Sequence, residues 1–371
     1  MHPQSFSFSQ QTWHRLKKNK GAIFGLVILS LAIFISLFGY LIAPDASPNA
    51  DLQTVEIQAK KPGYTQLFLK IPDKKNNTQS WFTTLISGKP NEYQLVPITN
   101  YTIKNDLLVV NKFIDEGLSI SQSYSIFQLT NNNPSAIQQN LITKKYWLGT
   151  DKFGRDILSR LIIGTRVSLA VGMIAVIISL TIGIILGTIA GYYRNWIDEV
   201  IMWLINVVWS IPTLLLVFAI TMALGKGFWQ IFIAVGLTMW VNVARLVRGQ
   251  VMAIKELEYV QAARALGFTD LRIIVKHLLP NILGPILVIG ASNFATAIIV
   301  EAGLSFLGIG VQPPQPSWGL MIKENYNFII THNPMLAIIP GLAIIVLVLA
   351  INLLGNGLRD AVDVKTTPSA P

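Results

Sequence analysis

The sequence predicts an all-α polytopic membrane protein of six transmembrane helices, with one small β-rich insertion outside the bilayer. Three observations predict it. Apolar residues make up 52% of the chain and charged residues only 13%, a balance suited to lipid rather than water. Several apolar runs reach the roughly 20 residues that a helix needs to cross the hydrocarbon core. Residues 44–146 break this pattern, being rich in Asn, Gln, Lys, Ser and Thr and holding no spanning run.

The 29 Lys and Arg residues exceed the 19 Asp and Glu residues, but they gather beside apolar runs. Membrane topology accounts for them, and no nucleic-acid partner is expected. The absence of cysteine excludes disulfides, thiol catalysis and thiolate metal sites.

Residues 1–21 read as a cytoplasmic tail that carries Arg15, Lys17, Lys18 and Lys20, and residues 22–43 as the first span. A signal peptide has the same basic-then-apolar order, but its apolar core is shorter. Ala43-Pro44-Asp45-Ala46 is also a poor cleavage site, so an uncleaved anchor with a cytoplasmic amino terminus is expected. Residues 44–146 then form an extracytoplasmic insertion domain. Within it 65–71 and 107–110 are strand-like, bounded by Pro62-Gly63, Pro72-Asp73 and Lys104-Asn105-Asp106.

Residues 147–371 hold five further spans, at about 167–192, 197–224, 228–247, 282–309 and 335–355. Arg194, Arg245, Arg248, Lys255, Arg264, Arg272, Lys276 and Arg359 then fall on the cytoplasmic side, against Lys226 and Lys323 outside, as the positive-inside rule requires. Gly172, Gly183, Gly187 and Gly191 make small-residue surfaces for close helix packing. Pro212 is expected to kink the third span, as a gate hinge or as a bend that packing needs. Glu301 is an acid in an apolar run, with Asn293 two turns earlier. Such a residue faces protein or a water-filled path, and interhelical hydrogen bonding is favoured over ion ligation.

The stretch 258–280, EYVQAARALGFTDLRIIVKHLLP, lies between two spans. Residues 258–266 are good helix formers, and Gly267 supplies a left-handed C-cap. Thr269 or Asp270 can cap a second helix that Pro280 closes. Ala262 and Ala263 offer little bulk, so another protein's surface can approach closely. The expected product is a helix-turn-helix docking element; a basic amphipathic loop on the membrane surface is the alternative.

No catalytic site is expected. Gly225-Lys226-Gly227 lacks the spacing and hydroxyl of a phosphate loop. The four histidines are scattered, so neither a metal site nor a nucleophile–base pair is expected. A secondary transporter or channel would show repeated broken helices and several intramembrane charges, whereas this chain offers mainly Glu301.

The docking stretch resembles the EAA loop of permease subunits of ATP-binding cassette importers, in the peptide-importer form E-Y-V-x-A-A-R-A-L-G followed by H-x-L-P-N. Gln261 and His277 depart from the general EAA pattern, which has Glu and Ile there. Residues 148–160 resemble the signature L-G-T-D-x-x-G-R-D-x-x-S-R of the C-type permease of dipeptide, oligopeptide and nickel importers, and 304–319 its L-S-F-L-G-x-G-x-x-P-P-x-P-S-W-G. The insertion departs from that branch, whose connection is usually shorter.

The resemblance implies the type I importer permease architecture, with a permease core over 147–371 and a cytoplasmic coupling loop over 249–281. It implies that Glu258, Ala262, Ala263, Arg264, Gly267, His277 and Pro280 serve ATPase coupling. Gly149, Asp151, Gly154, Arg155, Asp156, Pro313, Pro314 and Trp318 would shape an external loop or gate. Trp318 would sit at the membrane interface, and the acid–arginine group would organise its own loop or meet a docked protein. The implied partners are a homologous sister permease, two ATPase subunits and an extracytoplasmic solute-binding protein. ATP would be bound by the partner subunits, with no cofactor on this chain. The implied location is a bacterial inner membrane, and the implied cargo a short peptide, nickel or another small solute.

Overall fold

The computed structural model describes residues 8–72, 80–130, 134–225, 227–330 and 333–362; Asp73 and Lys226 lie outside them. In chain order the elements begin with α1 (Phe8–Lys18), α2 (Lys20–Ile42), β1 (Tyr64–Pro72), α3 (Trp81–Ser87), β2 (Tyr93–Lys104), β3 (Leu107–Asp115), β4 (Leu118–Ser125), α4 (Ile126–Leu129) and β5 (Leu141–Tyr146). They continue with α5 (Ile157–Tyr193), α6 (Asn195–Trp209), α7 (Thr213–Leu224), α8 (Phe228–Lys255), α9 (Glu258–Ala265), α10 (Asp270–Ile273), α11 (Leu279–Leu307), α12 (Trp318–Asn325) and α13 (Met335–Val362). The chain divides into two units. One comprises Met1–Ile33, Ser168–Val311 and Ala343–Pro371, the other Phe34–Val167 and Gln312–Leu342.

Among the described residues, five helical stretches are long and apolar enough to cross a membrane: α2, α5, α8, Asp270–Leu307 and α13. The sixth predicted span, 197–224, is a bent pair, α6 and α7, meeting at 93°. Pro212 does more than kink it. Ser210 N donates to Asn206 O and closes α6, while Pro212 takes φ −54 and ψ 128 at the start of α7. A proline has no N–H to continue the ladder, so the helix restarts in a new direction.

The membrane helices of the first unit meet through small residues. Gly183, Gly187 and Gly191 recur at the spacing that places side chains on one helix face. There α5 meets α8 backbone to backbone: a Cβ on Gly187 would lie 2.5 Å from Ala244 O, and one on Gly191 2.7 Å from Arg248 O. Gly25 brings α2 equally close to α13, at 2.3 Å from Ala350 O. Val243, Val247 and Val251 of α8 pack with Tyr192, Ile282 and Ile286 in a common core.

The second unit contains the predicted β-rich insertion, an antiparallel sheet in the order β4-β3-β2-β1-β5. The strand-like runs 65–71 and 107–110 lie in β1 and β3. Alternation along β1 sends Leu69 to one face, with Ile98, Leu108, Val110 and Leu129, and Phe68 to the other, with Ile57 and Tyr146. This is the two-residue period of a pleated strand buried on both faces. Tyr64 pairs with Tyr146, and Gly63 N donates to Tyr146 O at 2.9 Å. The sheet therefore leaves the chain and returns to it at one place.

Candidate functional site

Residues 258–280 form the predicted helix, turn and helix. Gly267 takes φ +80, the left-handed conformation that a Cβ disfavours. Gly267 N donates to Arg264 O at 2.9 Å and Phe268 N to Ala263 O at 3.2 Å, the bonding of a Schellman C-cap. Thr269 is the N-cap of α10, but its side chain makes no capping bond. Asp270 Oδ1 instead accepts from Tyr192 Oη at 2.5 Å. Pro280 falls within the first turn of α11, after a π-helical turn over Ile274–Leu278. It closes the wide turn without ending the helix, because a proline fits where the first-turn N–H would be unbonded.

The two alanines point in different directions. Ala263 is buried with Val260 and Ile273 in the core of the first unit, so its small side chain serves internal packing. Ala262 is exposed, as are Glu258, Arg264 and Pro280. The tip of the element is apolar: Leu266 is 74% exposed and Leu271 72%. Both departures from the EAA pattern make bonds or contacts. Gln261 Nε2 donates to Lys255 O at 2.9 Å, which a carboxylate could not do. The His277 ring stacks on Phe268, with centroids 6.1 Å apart.

A polar knot lies beneath this element. Tyr192 Oη accepts from Arg264 Nη2 at 3.2 Å while donating to Asp270, and Lys255 Nζ donates to Tyr192 O at 2.6 Å. Sequence reading did not single out Tyr192, because its partners lie 63 to 78 residues away.

A cavity of about 810 Å³ opens between α8, α11 and α13, lined by Gln250, Asn281, Asn352, Asn356 and Arg359. A second, of about 260 Å³, lies at the α6–α7 break, with Trp209, Pro212, Asn242, Asn293 and Thr296 on its walls. The two share Ile289 and Ser292, so α11 lines both. Among the described residues no carboxylate lines either cavity.

Asn293 is buried, and its Nδ2 donates to Ser179 Oγ at 3.3 Å and Met239 O at 3.4 Å. Glu301 is buried too, and its Oε1 accepts from Ser305 Oγ at 2.6 Å. Ser305 Oγ in turn accepts from Val311 N at 3.0 Å. The Glu301–Ser305 bond runs along α11 itself, whereas the sequence favoured a bond between helices.

In the second unit, Gly149 at φ +82 and Gly154 at φ +72 make the expected tight turns. Each lies against backbone: a Cβ on Gly154 would stand 1.7 Å from Thr54 O. Arg155 Nε bonds Asp151 Oδ2 at 2.6 Å, Nη1 bonds Asp51 Oδ1 at 3.0 Å, and Nη2 bonds Glu324 Oε2 at 2.7 Å. Arg160 lies behind it, 3.5 to 3.7 Å from the same three acids. Burial opposes the charge on Arg155, but Asp151 and Glu324 outweigh it and raise its pKa. Asp156 joins a separate cluster, accepting from Ser159 N at 2.9 Å and from Ser159 Oγ.

Asp151 serves the loop itself, whereas Asp51 and Glu324 tie that loop to two distant segments of the second unit. Asp51 and Glu324 carried no sequence signal, lying 104 and 169 residues from Arg155. Arg160 is the final Arg of the signature and was not singled out. Pro313 and Pro314 are exposed. Trp318 is not at a lipid interface: it is buried, and its Nε1 donates to Leu161 O at 3.0 Å. Gly164 gives it room, with Trp318 Cδ1 3.1 Å from where a Cβ would be.

The chain has clear relatives. Residues 183–368 match the family model of the binding-protein-dependent transport system inner membrane component. Residues 7–58 match that of the N-terminal TM domain of oligopeptide transport permease C. A dipeptide transport system permease protein of Alkalihalophilus pseudofirmus is 37% identical over 302 residues, which cover 79% of this chain and 99% of the relative. A glutathione transport system permease protein of Pectobacterium atrosepticum is 41% identical over 66% of this chain and 78% of its own. An oligopeptide transport system permease protein of Bacillus subtilis is 41% identical over 60% and 73%. The chain therefore belongs to the family of inner membrane components of binding-protein-dependent transport systems, and it is a permease subunit of an ATP-binding cassette importer.

Proposed function

We propose that this subunit pairs with a homologous but distinct permease to pass short peptides across a bacterial inner membrane, driven by two separate ATPase subunits that dock on residues 258–280. An extracytoplasmic binding protein delivers the cargo, and ATP is held by the partners rather than by this chain. The names of the relatives, which include dipeptide, oligopeptide and glutathione permeases, support a peptide cargo. The amide-lined cavity supports it as well, since Gln250, Asn281, Asn352 and Asn356 offer both donors and acceptors to a peptide backbone. Both termini lie in the cytoplasm in this reading, which the basic residues flanking the spans support.

The observation that carries the docking site is the apolar tip at Leu266 and Leu271, held out by a buried base of Val260, Ala263 and Ile273. Two exposed leucines on a rigid turn between two spans suit insertion into a partner's groove. Each ATPase state then favours the permease conformation with which it makes the better contacts.

The test is co-purification from the native membrane with Leu266→Asp and Leu271→Asp combined. Neither side chain contributes to the buried core, so the variant is expected in the membrane at wild-type level. It should retain the sister permease and lose the ATPase subunits. ATPases recovered in wild-type proportion would overturn the docking assignment.

A further inference from the structure

Helix α3 lies within the insertion, yet it exposes a group of large apolar side chains. Trp81 is 64% exposed, Phe82 63% and Ile86 55%. At 100° per residue these three and the half-buried Leu85 share one side of the helix, while Thr83, Thr84 and Ser87 occupy the other. An amphipathic helix normally turns its apolar side inward. In α3 that side is exposed, as are Thr83 and Ser87 on the other.

The contacts of α3 fix its level along the membrane helices of the second unit. Arg166 Nη1, on α5, donates to Ile86 O at 2.9 Å. Gly88 takes φ +80, and a Cβ there would lie 2.8 Å from the Tyr40 ring and 2.7 Å from Ala46 O. Lys89 N donates to Ala46 O at 2.7 Å. Tyr40 lies in the last turn of α2, and the Arg166 guanidinium sits 5.1 Å from its ring centroid. The carboxyl end of α3 is therefore pinned where the α2 span ends. There α2 itself exposes Phe34, Leu37, Leu41 and Ile42, and it is the least enclosed of the five long spans.

We propose that α3 is an interfacial membrane anchor. Trp81, Phe82 and Ile86 insert at the boundary between headgroups and acyl chains, on the side of the bilayer where α2 ends, and seat the β-sheet against it. The occupant is lipid rather than protein, because the carboxyl end of α3 is pinned beside Tyr40, where a spanning helix ends and aromatic belts form. Trp and Phe are the side chains that such a boundary favours. Tyr40 is itself buried, so it and Arg166 hold the carboxyl end of α3 in place from beneath.

The absence of cysteine in the chain makes the test direct. Phe82→Cys, and separately Ile86→Cys, is labelled with an environment-sensitive fluorophore in the full-length protein, reconstituted alone in phosphatidylglycerol–phosphatidylcholine nanodiscs. Ser121→Cys on the exposed strand β4 serves as the aqueous control. Labels at 82 and 86 should be blue-shifted relative to 121, quenched by lipid-borne nitroxides and protected from iodide. Iodide quenching equal to that at 121, with no effect of nitroxide lipids, would overturn the proposal. So would protection that arises only when a second protein is added. The two labelling sites guard against one substitution disturbing the helix.

Discussion

Asp156 is buried beside Asp45, and Ser159 donates to it while accepting from Asp45 N at 2.8 Å. Burial raises its pKa above the ordinary carboxylate value; the Ser159 bonds oppose the shift and Asp45 adds to it. The folded state therefore holds this proton more tightly than the unfolded chain does. Its contribution to stability is complete below the unfolded pKa of about 4 and is lost as pH rises through the higher folded value. Asp156→Asn keeps an acceptor for Ser159 and removes the titration. Its thermal midpoint in detergent should accordingly fall less than that of the wild type as pH rises from about 4 towards neutrality; parallel profiles would exclude Asp156 as the source. At this scale the sequence is a partial guide. Gly149, Gly154 and Gly267 were legible because a positive φ leaves few alternatives to glycine. Asp51, Glu324 and Tyr192 were not, because their partners are distant in the chain.

The glycine row of α5 is a feature of two elements at once. It lets the α5 and α8 backbones touch, so a side chain there must drive the helices apart. Gly187→Leu should lower stability by about 1–3 kcal/mol or more, read as a drop in the thermal midpoint, whereas the same change at Gly249, where a Cβ meets nothing within 4 Å, should cost far less. Equal losses would show that helix propensity rather than contact sets the penalty. Period and length made the spans legible, along with the strands in β1 and β3, since those signals are local. The α6–α7 break and the π turn before Pro280 were harder to read. A proline announces an irregularity but not its angle, which depends on distant partners such as Arg245, whose Nη2 donates to Asn206 Oδ1 near the break at 2.8 Å.

Across the whole chain, the insertion is less detachable than its composition suggests. Asp45, Asp51 and Thr54 belong to residues 44–146, yet they hold the turn and helix start over 149–160 through Ser159, Arg155 and Gly154. Excising 65–145 and joining Tyr64 to Tyr146 through a short linker should leave folded, membrane-inserted protein. Deleting 44–146 also strips partners from buried arginines, a loss worth about 3–5 kcal/mol for a broken buried pair. Size-exclusion profiles of the two deletions in detergent separate these outcomes; similar aggregation of both would mean that the sheet is itself required. The knot at Tyr192 has a different consequence. Through it the ends of α5 and α8 and both arms of the 258–280 element meet at one tyrosine. A force applied at Leu266 thus enters several members of the frame together, as at the node of a truss, and no single strut can yield to absorb it.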